Sequence, residues 1–303
     1  MSNLKVNLCG IEFNNPILTA SGTFGFGREY AEFYPLSAIG GVCTKGLTNY
    51  VKDGNAYPRI AETPMGMINA VGLQNPGVDA FIKNDAVWLK EQGTNVIANV
   101  AGNSTEDYER IVERISDVPS VDMIELNISC PNVKEGGMAF GVMPESVEAI
   151  TKAVRRYAKK PLIIKLSPNV ANIVDNAKAA EAGGADAISL INTVSGMAIN
   201  WRTRRPILAN VNGGMSGPCV KPIALKMVWN CYNNVEIPII GLGGITSYED
   251  VLEFMICGAS AVEVGTANIM NPMASYNIAN DLKKYVEDTD MDINDIVGTL
   301  IVD

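Results

Sequence analysis

The residues best suited to chemistry begin with Cys130. It follows the apolar run Val121-Asp-Met-Ile-Glu-Leu-Asn-Ile-Ser129 and precedes a Pro131-Asn132 break and a glycine-rich stretch to Gly141. Asn127, Ser129 and Cys130 are poor core material at the end of an apolar run, because each polar group needs a partner when buried. The chain contains no histidine. That removes Ser-His-Asp triads, histidine-activated cysteine nucleophiles and histidine-ligated metals. Acid–base work therefore falls to Cys, Lys, Tyr, Asp or Glu. A thiol with a pKa of ~8.5 suits a general base acting on a modestly acidic C–H. Ser129 and Thr193 are available to relay the proton. The blander reading is an inert buried cysteine.

Two lysines, Lys45 and Lys165, also close apolar runs. A charge there is costly unless paired, so each points either to a structural ion pair or to an anionic ligand. Four amides, Asn69, Asn99, Asn127 and Asn192, offer both donors and acceptors. Together they suit a planar heterocycle whose edge alternates C=O and N–H. Turn chemistry explains Asn69, read as a loop residue, better than Asn127. Gly241-Leu-Gly-Gly244 and Val264-Gly-Thr266 expose backbone amides at two neighbouring run ends, a pattern that cradles phosphate. No complete G-x-G-x-x-G opens a first βα turn, which argues against a Rossmann dinucleotide site.

The elements that must position these residues follow from hydropathy. Eight short apolar runs lie at 16–20, 39–44, 95–100, 121–128, 161–166, 185–191, 236–242 and 259–264. Amphipathic patterns at 77–91, 104–116, 144–159, 171–183, 218–233, 247–257 and 272–287 lie between most of them or follow the last. Runs that are apolar throughout, rather than alternating, indicate parallel strands buried on both faces. Eight βα units predict an α/β fold: a closed (β/α)8 TIM barrel, one domain over residues 1–303. Residues 4–18, with Gly10 at the turn, predict an N-terminal β-hairpin that plugs the barrel floor. Long insertions at 47–76 and 192–217, read as structureless loops, and the glycine-rich 130–143 follow strands. All three therefore belong on the C-terminal face of the strands, where such barrels build their sites.

Composition narrows the function classes. The 303 residues carry a net charge of −9 and are 47% hydrophobic. Such a chain repels phosphate backbones, so neither nucleic acid nor an anionic membrane is an expected partner. The one basic cluster is Arg202, Arg204 and Arg205. Six scattered cysteines without a C-x-x-C pair argue against a zinc or iron–sulfur site, so no metal is expected. There is no signal-peptide pattern, and no apolar run approaches the ~20 residues of a spanning helix. The expected location is cytoplasmic.

With these residues in place, the chain resembles the class 1 dihydroorotate dehydrogenases, flavoproteins of pyrimidine biosynthesis. The resemblance is carried, in order, by Thr19-Ala-Ser-Gly22, Thr44-Lys-Gly46, Asn69-Ala-Val-Gly-Leu-Gln-Asn-Pro-Gly77, Glu125-Leu-Asn-Ile-Ser-Cys-Pro-Asn132, Lys165-Leu-Ser-Pro168, Gly241-Leu-Gly-Gly-Ile245 and Val264-Gly-Thr266. It implies one FMN per chain. The phosphate would sit on Gly217, Gly243, Gly244, Gly265 and Thr266. The ring and ribityl chain would meet Ser21, Lys45, Gly46, Asn99, Asn127, Lys165 and Ile191. Dihydroorotate would be held by Lys45, by Asn69, Ala70, Val71, Gly72 and Leu73, and by Asn127, Asn192 and Thr193. Cys130 would remove the C5 proton while C6 gives a hydride to the flavin, and Lys165 would stabilise negative charge on the reduced ring.

The stretches 69–75 and 130–137 look like the NAD-linked type 1B. That type implies a partner subunit with FAD and a [2Fe–2S] cluster, in a heterotetramer of two catalytic and two electron-transfer chains. The fumarate-linked homodimeric type 1A is the alternative. An FMN-dependent dihydrouridine synthase, or a non-catalytic flavin-binding scaffold barrel, is a more distant one.

Overall fold

The computed structural model describes residues 2–129 and 140–302. The chain opens with a hairpin of β1 (Val6–Leu8) and β2 (Ile11–Phe13), turned by Cys9 and Gly10 at φ 52° and 85°. Two consecutive positive φ values match the right-handed twist of the flanking strands, and glycine takes one of them without strain. Val6, Leu8 and Phe13 are buried. Phe13 packs against Gly41, Cys9 Sγ donates to the Asp186 carbonyl, and Asn95 donates to the Glu12 carbonyl. Those three partners lie at the entry ends of barrel strands, so the hairpin closes the floor as expected.

The strands then follow in chain order. They are β3 (Ile17–Thr19), β4 (Gly41–Cys43), β5 (Ile60–Thr63), β6 (Gly66–Asn69), β7 (Asn95–Val100), β8 (Met123–Asn127), β9 (Leu162–Lys165) and β10 (Ala187–Leu190). After them come β11 (Val194–Met197), β12 (Ile199–Asn200), β13 (Arg205–Pro206), β14 (Asn212–Ser216), β15 (Ile239–Leu242) and β16 (Ala261–Val264). Eight of them, β3, β4, β7, β8, β9, β10, β15 and β16, form a closed barrel in chain order. Neighbouring barrel strands pair in parallel throughout. All eight predicted apolar runs supply these strands, and almost every barrel residue is buried.

The helices cover the barrel through one apolar stripe each. Thr105–Ser116 buries Tyr108, Ile111, Val112 and Ile115, the spacing of one helical face, and Ser104 caps it by accepting from the Asp107 amide. Burial of each such side chain contributes about 1.5–3 kcal/mol. Ser247 and Asp250 form a reciprocal capping box on Tyr248–Ile256. The expected 77–91 helix is interrupted by a π turn at Phe81–Asp85. The helix before Ala274–Thr289, a short one at Thr266–Met270, was not anticipated.

The two long connections are not structureless. The 47–76 segment contributes β5 and β6, and the 192–217 segment contributes β11 and β14. These pair antiparallel in the order β11-β14-β6-β5. The expectation of loops was wrong because glycine-rich, weakly apolar strands such as Asn212–Ser216 gain their pairing from a partner distant in sequence. Both segments leave the exit ends of barrel strands, so this sheet stands over the C-terminal face. Arg202, Arg204 and Arg205 are exposed at the β12–β13 hairpin, with Arg202 stacked on Trp201.

Candidate active site

The fourth and sixth barrel strands deliver the first contact. Asn127, the last residue of β8, accepts at Oδ1 from Asn192 Nδ2 at 3.2 Å and from the Ser129 amide at 3.2 Å. Asn192 Oδ1 in turn accepts from the Thr193 amide at 2.8 Å. Ser129 Oγ is buried without a hydrogen-bond partner among the described residues. Cys130 lies outside the described residues.

Across the barrel mouth, Gly46, Asn99 and Leu73 converge. A Cβ placed on Gly46 would lie 2.9 Å from Asn99 Oδ1 and 3.2 Å from the Leu73 side chain. Asn99 is fully buried, and its Oδ1 has no hydrogen-bond partner among the described residues. Asn69 is a strand residue in β6, not a loop residue, and donates to the Gly214 carbonyl at 3.2 Å. That bond ties the Asn69–Leu73 segment to β14, next to Thr193: a Cβ on Gly214 would collide with the Thr193 side chain.

The glycines cluster at the far side. Gly217, Gly243 and Gly244 have φ of 103°, 131° and 81°. A Cβ on Gly244 would lie 2.8 Å from the Gly217 carbonyl, and one on Gly217 would lie 2.7 Å from Gly66 Cα. Only glycine fits both the backbone and the space at Gly244. Gly243 packs on Ile191, and Gly265 lies beside Ala20, next to the buried Ser21. Thr266 Oγ1 donates to Ser216 Oγ at 2.8 Å. A groove of ≈ 600 Å³ opens beside Thr266, walled by Gly66, Pro218, Thr246 and Ser247.

The two lysines differ. Lys165 is buried and makes ion pairs with Glu125 at 3.1 Å and Glu263 at 2.9 Å, which is the structural reading of its charge. Lys45 has no ion-pair partner among the described residues, and burial followed by the nearby Arg59 charge lowers its pKa. Lys45 is thus the cation left available for an anion.

A match across nearly the whole chain accompanies this geometry. Residues 3–286 match the protein family described as "Dihydroorotate dehydrogenase". The chain belongs to that family. Among its relatives, the "Dihydroorotate dehydrogenase B (NAD(+)), catalytic subunit" of Alkaliphilus oremlandii (strain OhILAs) is 54% identical over 98% of this chain and 99% of its own length. The protein of the same name from Thermoanaerobacter pseudethanolicus is 51% identical over 99% and 100%. That from Phocaeicola vulgatus is 50% identical over the full length of both.

Near these residues, three charged side chains escaped the sequence reading. Glu125 and Glu263 are fully buried partners of Lys165, and Arg59 is buried near Lys45. The signal for the two acids was present: each is a charge inside an apolar strand, the same feature that singled out Lys165. Arg59 gave none, because it sits in a connection whose strands were not recognised. No helix is long and apolar enough to cross a membrane among the described residues.

Proposed function

We propose that this chain is the catalytic subunit of an NAD-linked dihydroorotate dehydrogenase, oxidising dihydroorotate to orotate on FMN. The observation that carries the proposal is the hydrogen-bonded Asn127–Asn192 pair at the mouth of the barrel, with Asn127 three residues before Cys130 in the sequence. Relatives named for this activity at 50–54% identity over their whole length support it.

The residues present fit FMN. Asn99 Oδ1 is an orphaned buried acceptor that a ring N–H would satisfy. Gly217, Gly243 and Gly244 form a backbone cradle without side chains, completed by Gly265 and Thr266, of the kind that takes a phosphate. Ser21, Lys45, Gly46, Asn127, Lys165 and Ile191 would line the remainder. Bound there, FMN supplies the hydride acceptor.

The chain's own groups do the rest. Asn127 and Asn192 would orient the dihydropyrimidine ring through their free donors and acceptors. Lys45 would meet the substrate carboxylate, since it lacks another counter-ion. Thr193 and the Asn69–Leu73 segment would close over the substrate. Cys130, as thiolate, would take the C5 proton, and Ser129 Oγ is placed one residue away to pass that proton on. Lys165, backed by Glu125, would place positive charge near the ring.

Electrons would leave through a partner chain carrying FAD and a [2Fe–2S] cluster, two of each chain forming the assembly. The scattered cysteines of this sequence support that division of labour. The test is turnover of dihydroorotate with NAD+ or fumarate, with and without the co-expressed partner. NAD+ turnover only with the partner is expected. Fumarate turnover by the chain alone would overturn the NAD-linked assignment, and a purified chain that binds no FMN would overturn the whole reading.

A further inference from the structure

Behind Asn99 lies a buried acid, Glu125, whose role in the proposed chemistry is so far only to back Lys165. Glu125 is fully buried in the middle of β8. Its Oε1 accepts from Asn99 Nδ2 at 2.5 Å, Lys165 Nζ at 3.1 Å and Cys43 Sγ at 3.3 Å, and its Oε2 accepts from Ser189 Oγ at 2.7 Å. Lys165 also donates to Glu263 Oε2 at 2.9 Å. Five barrel strands besides β8 therefore converge on this cluster: β4, β7, β9, β10 and β16.

One ammonium between two buried carboxyls leaves a surplus negative charge if both ionise, which an apolar interior does not tolerate. Burial, and then the charge of Glu125, raise Glu263 well above the usual carboxyl range, so Glu263 keeps its proton. For Glu125, burial alone would act in the same direction. The Lys165 charge, with hydrogen bonds from Glu263, Ser189 and Cys43, outweighs it and keeps Glu125 ionised.

An ionised carboxylate only accepts hydrogen bonds. The Asn99 amide therefore has one available orientation: its Nδ2 faces Glu125 and its Oδ1 faces away. That oxygen is buried and has no partner among the described residues, and the missing Cβ of Gly46 is what leaves room beside it, since a Cβ there would lie 2.9 Å away. The site thus presents an acceptor, and only an acceptor, at this point. The oxidised isoalloxazine ring has a single N–H, at N3.

We propose that Glu125 is a positioning residue for the flavin: it locks the Asn99 amide so that Oδ1 accepts from the ring N3–H. The proposal rests on the FMN reading above. A Glu125 that served only to balance Lys165 would affect folding stability but leave N3–H unaltered, whereas a Glu125 that fixes Asn99 must affect N3–H itself.

The experiment uses the purified full chain loaded with FMN labelled with nitrogen-15 at N3, followed by NMR. In the native protein the N3–H resonance is expected downfield of free FMN and protected from solvent exchange. Glu125→Gln gives Asn99 a neighbour that can donate, so the Asn99 amide is free to turn over. The N3–H should then shift back toward free FMN, with exchange faster by about tenfold or more, a change equivalent to about 1.4 kcal/mol. Asn99→Ala should produce the same change, and Glu125→Asp, which keeps the charge beside Lys165 but withdraws the acceptor from Asn99, should do so as well and decides the matter if Glu125→Gln does not fold. Glu263→Gln replaces one neutral group by another and touches no atom of Asn99, so N3–H should stay where it is.

A native N3–H at the free-FMN position would overturn the proposal while leaving the flavin reading intact. So would a protected N3–H that neither Glu125→Gln nor Asn99→Ala moves, or one that Glu263→Gln moves as far as Glu125→Gln does. Native protein that takes up no FMN overturns the flavin reading and this proposal with it.

Discussion

Asn192 Nδ2 donates to Asn127 Oδ1 at 3.2 Å, joining the ends of the sixth and fourth barrel strands across the mouth. The bond commits one atom of each amide. Removing it in Asn192→Ala deletes both a substrate contact and the restraint on Asn127. The expected loss in kcat/KM for dihydroorotate is about 10–100-fold, since each lost contact of this kind is worth about 1–2 kcal/mol. Flavin content should be unchanged. Steady-state kinetics on flavin-replete enzyme measures it, and native kcat/KM would refute the assigned role.

Cys130→Ala should retain FMN yet slow flavin reduction by dihydroorotate about 10²–10⁴-fold, the range a general base contributes. Cys130→Ser should also be strongly slowed, because a hydroxyl is a much weaker acid than a thiol. Stopped-flow absorbance under anaerobic conditions reads the step directly. A reduction rate equal to that of the native enzyme would remove Cys130 from the chemistry.

Lys165→Met should destabilise the fold by about 3–5 kcal/mol, because it strands the ionised Glu125 in the barrel interior. Part of that loss should return in Lys165→Met combined with Glu125→Gln, where no unpaired charge remains. Urea unfolding of the single and double variants gives both numbers. Equal stability of the two would mean that the Glu125 charge is compensated elsewhere.

The buried acids predict opposite pH trends. Burial pushes Glu125 up, but Lys165 and the donors around it prevail and hold it down to about 2. Its contribution to stability is complete above the unfolded carboxyl value of about 4.3 and is lost as pH falls toward about 2. Glu263 is shifted upward, so the folded chain keeps a proton that the unfolded chain releases above about 4.3, and this contribution falls as pH rises. Glu263→Gln, which cannot ionise, should therefore gain stability relative to the native chain between about pH 5 and pH 8. A stability difference that stays constant across that range, in urea titrations, would contradict the protonated state of Glu263.

Gly244→Ala tests the cradle. The backbone there has φ of 81°, and a Cβ would lie 2.8 Å from the Gly217 carbonyl. Strain of about 1–3 kcal/mol is expected, together with weaker FMN retention during gel filtration. Retention equal to that of the native protein would place the phosphate elsewhere.

The barrel and most residues of its candidate site were legible from residue order alone. Eight apolar runs announced eight buried parallel strands because a strand covered on both faces has no polar side to show. Asn99, Asn127, Lys45, Lys165 and Asn192 were visible because each breaks such a run at its exit end. Glu125 and Glu263 carried the same signal but read as incidental, since a lone acid in a strand does not reveal the lysine that neutralises it. The sheet of β5, β6, β11 and β14 was hidden for a related reason. Its strands are short, its residues include Gly213 and Gly214, and its central pairing, β14 with β6, joins segments more than a hundred residues apart.

Sequence by itself therefore determined the eight barrel strands, the floor hairpin and the face that carries the polar residues, all of which follow from local hydropathy and turn chemistry. Only the tertiary structure decided which charges cancel. It paired Lys165 with Glu125 and Glu263, left Lys45 unpaired among the described residues, and turned Asn99 so that one atom is used and the other is free. Those outcomes depend on distances between strands that are remote in the chain, and electrostatic energy in a buried interior varies with such distances far more steeply than with residue type.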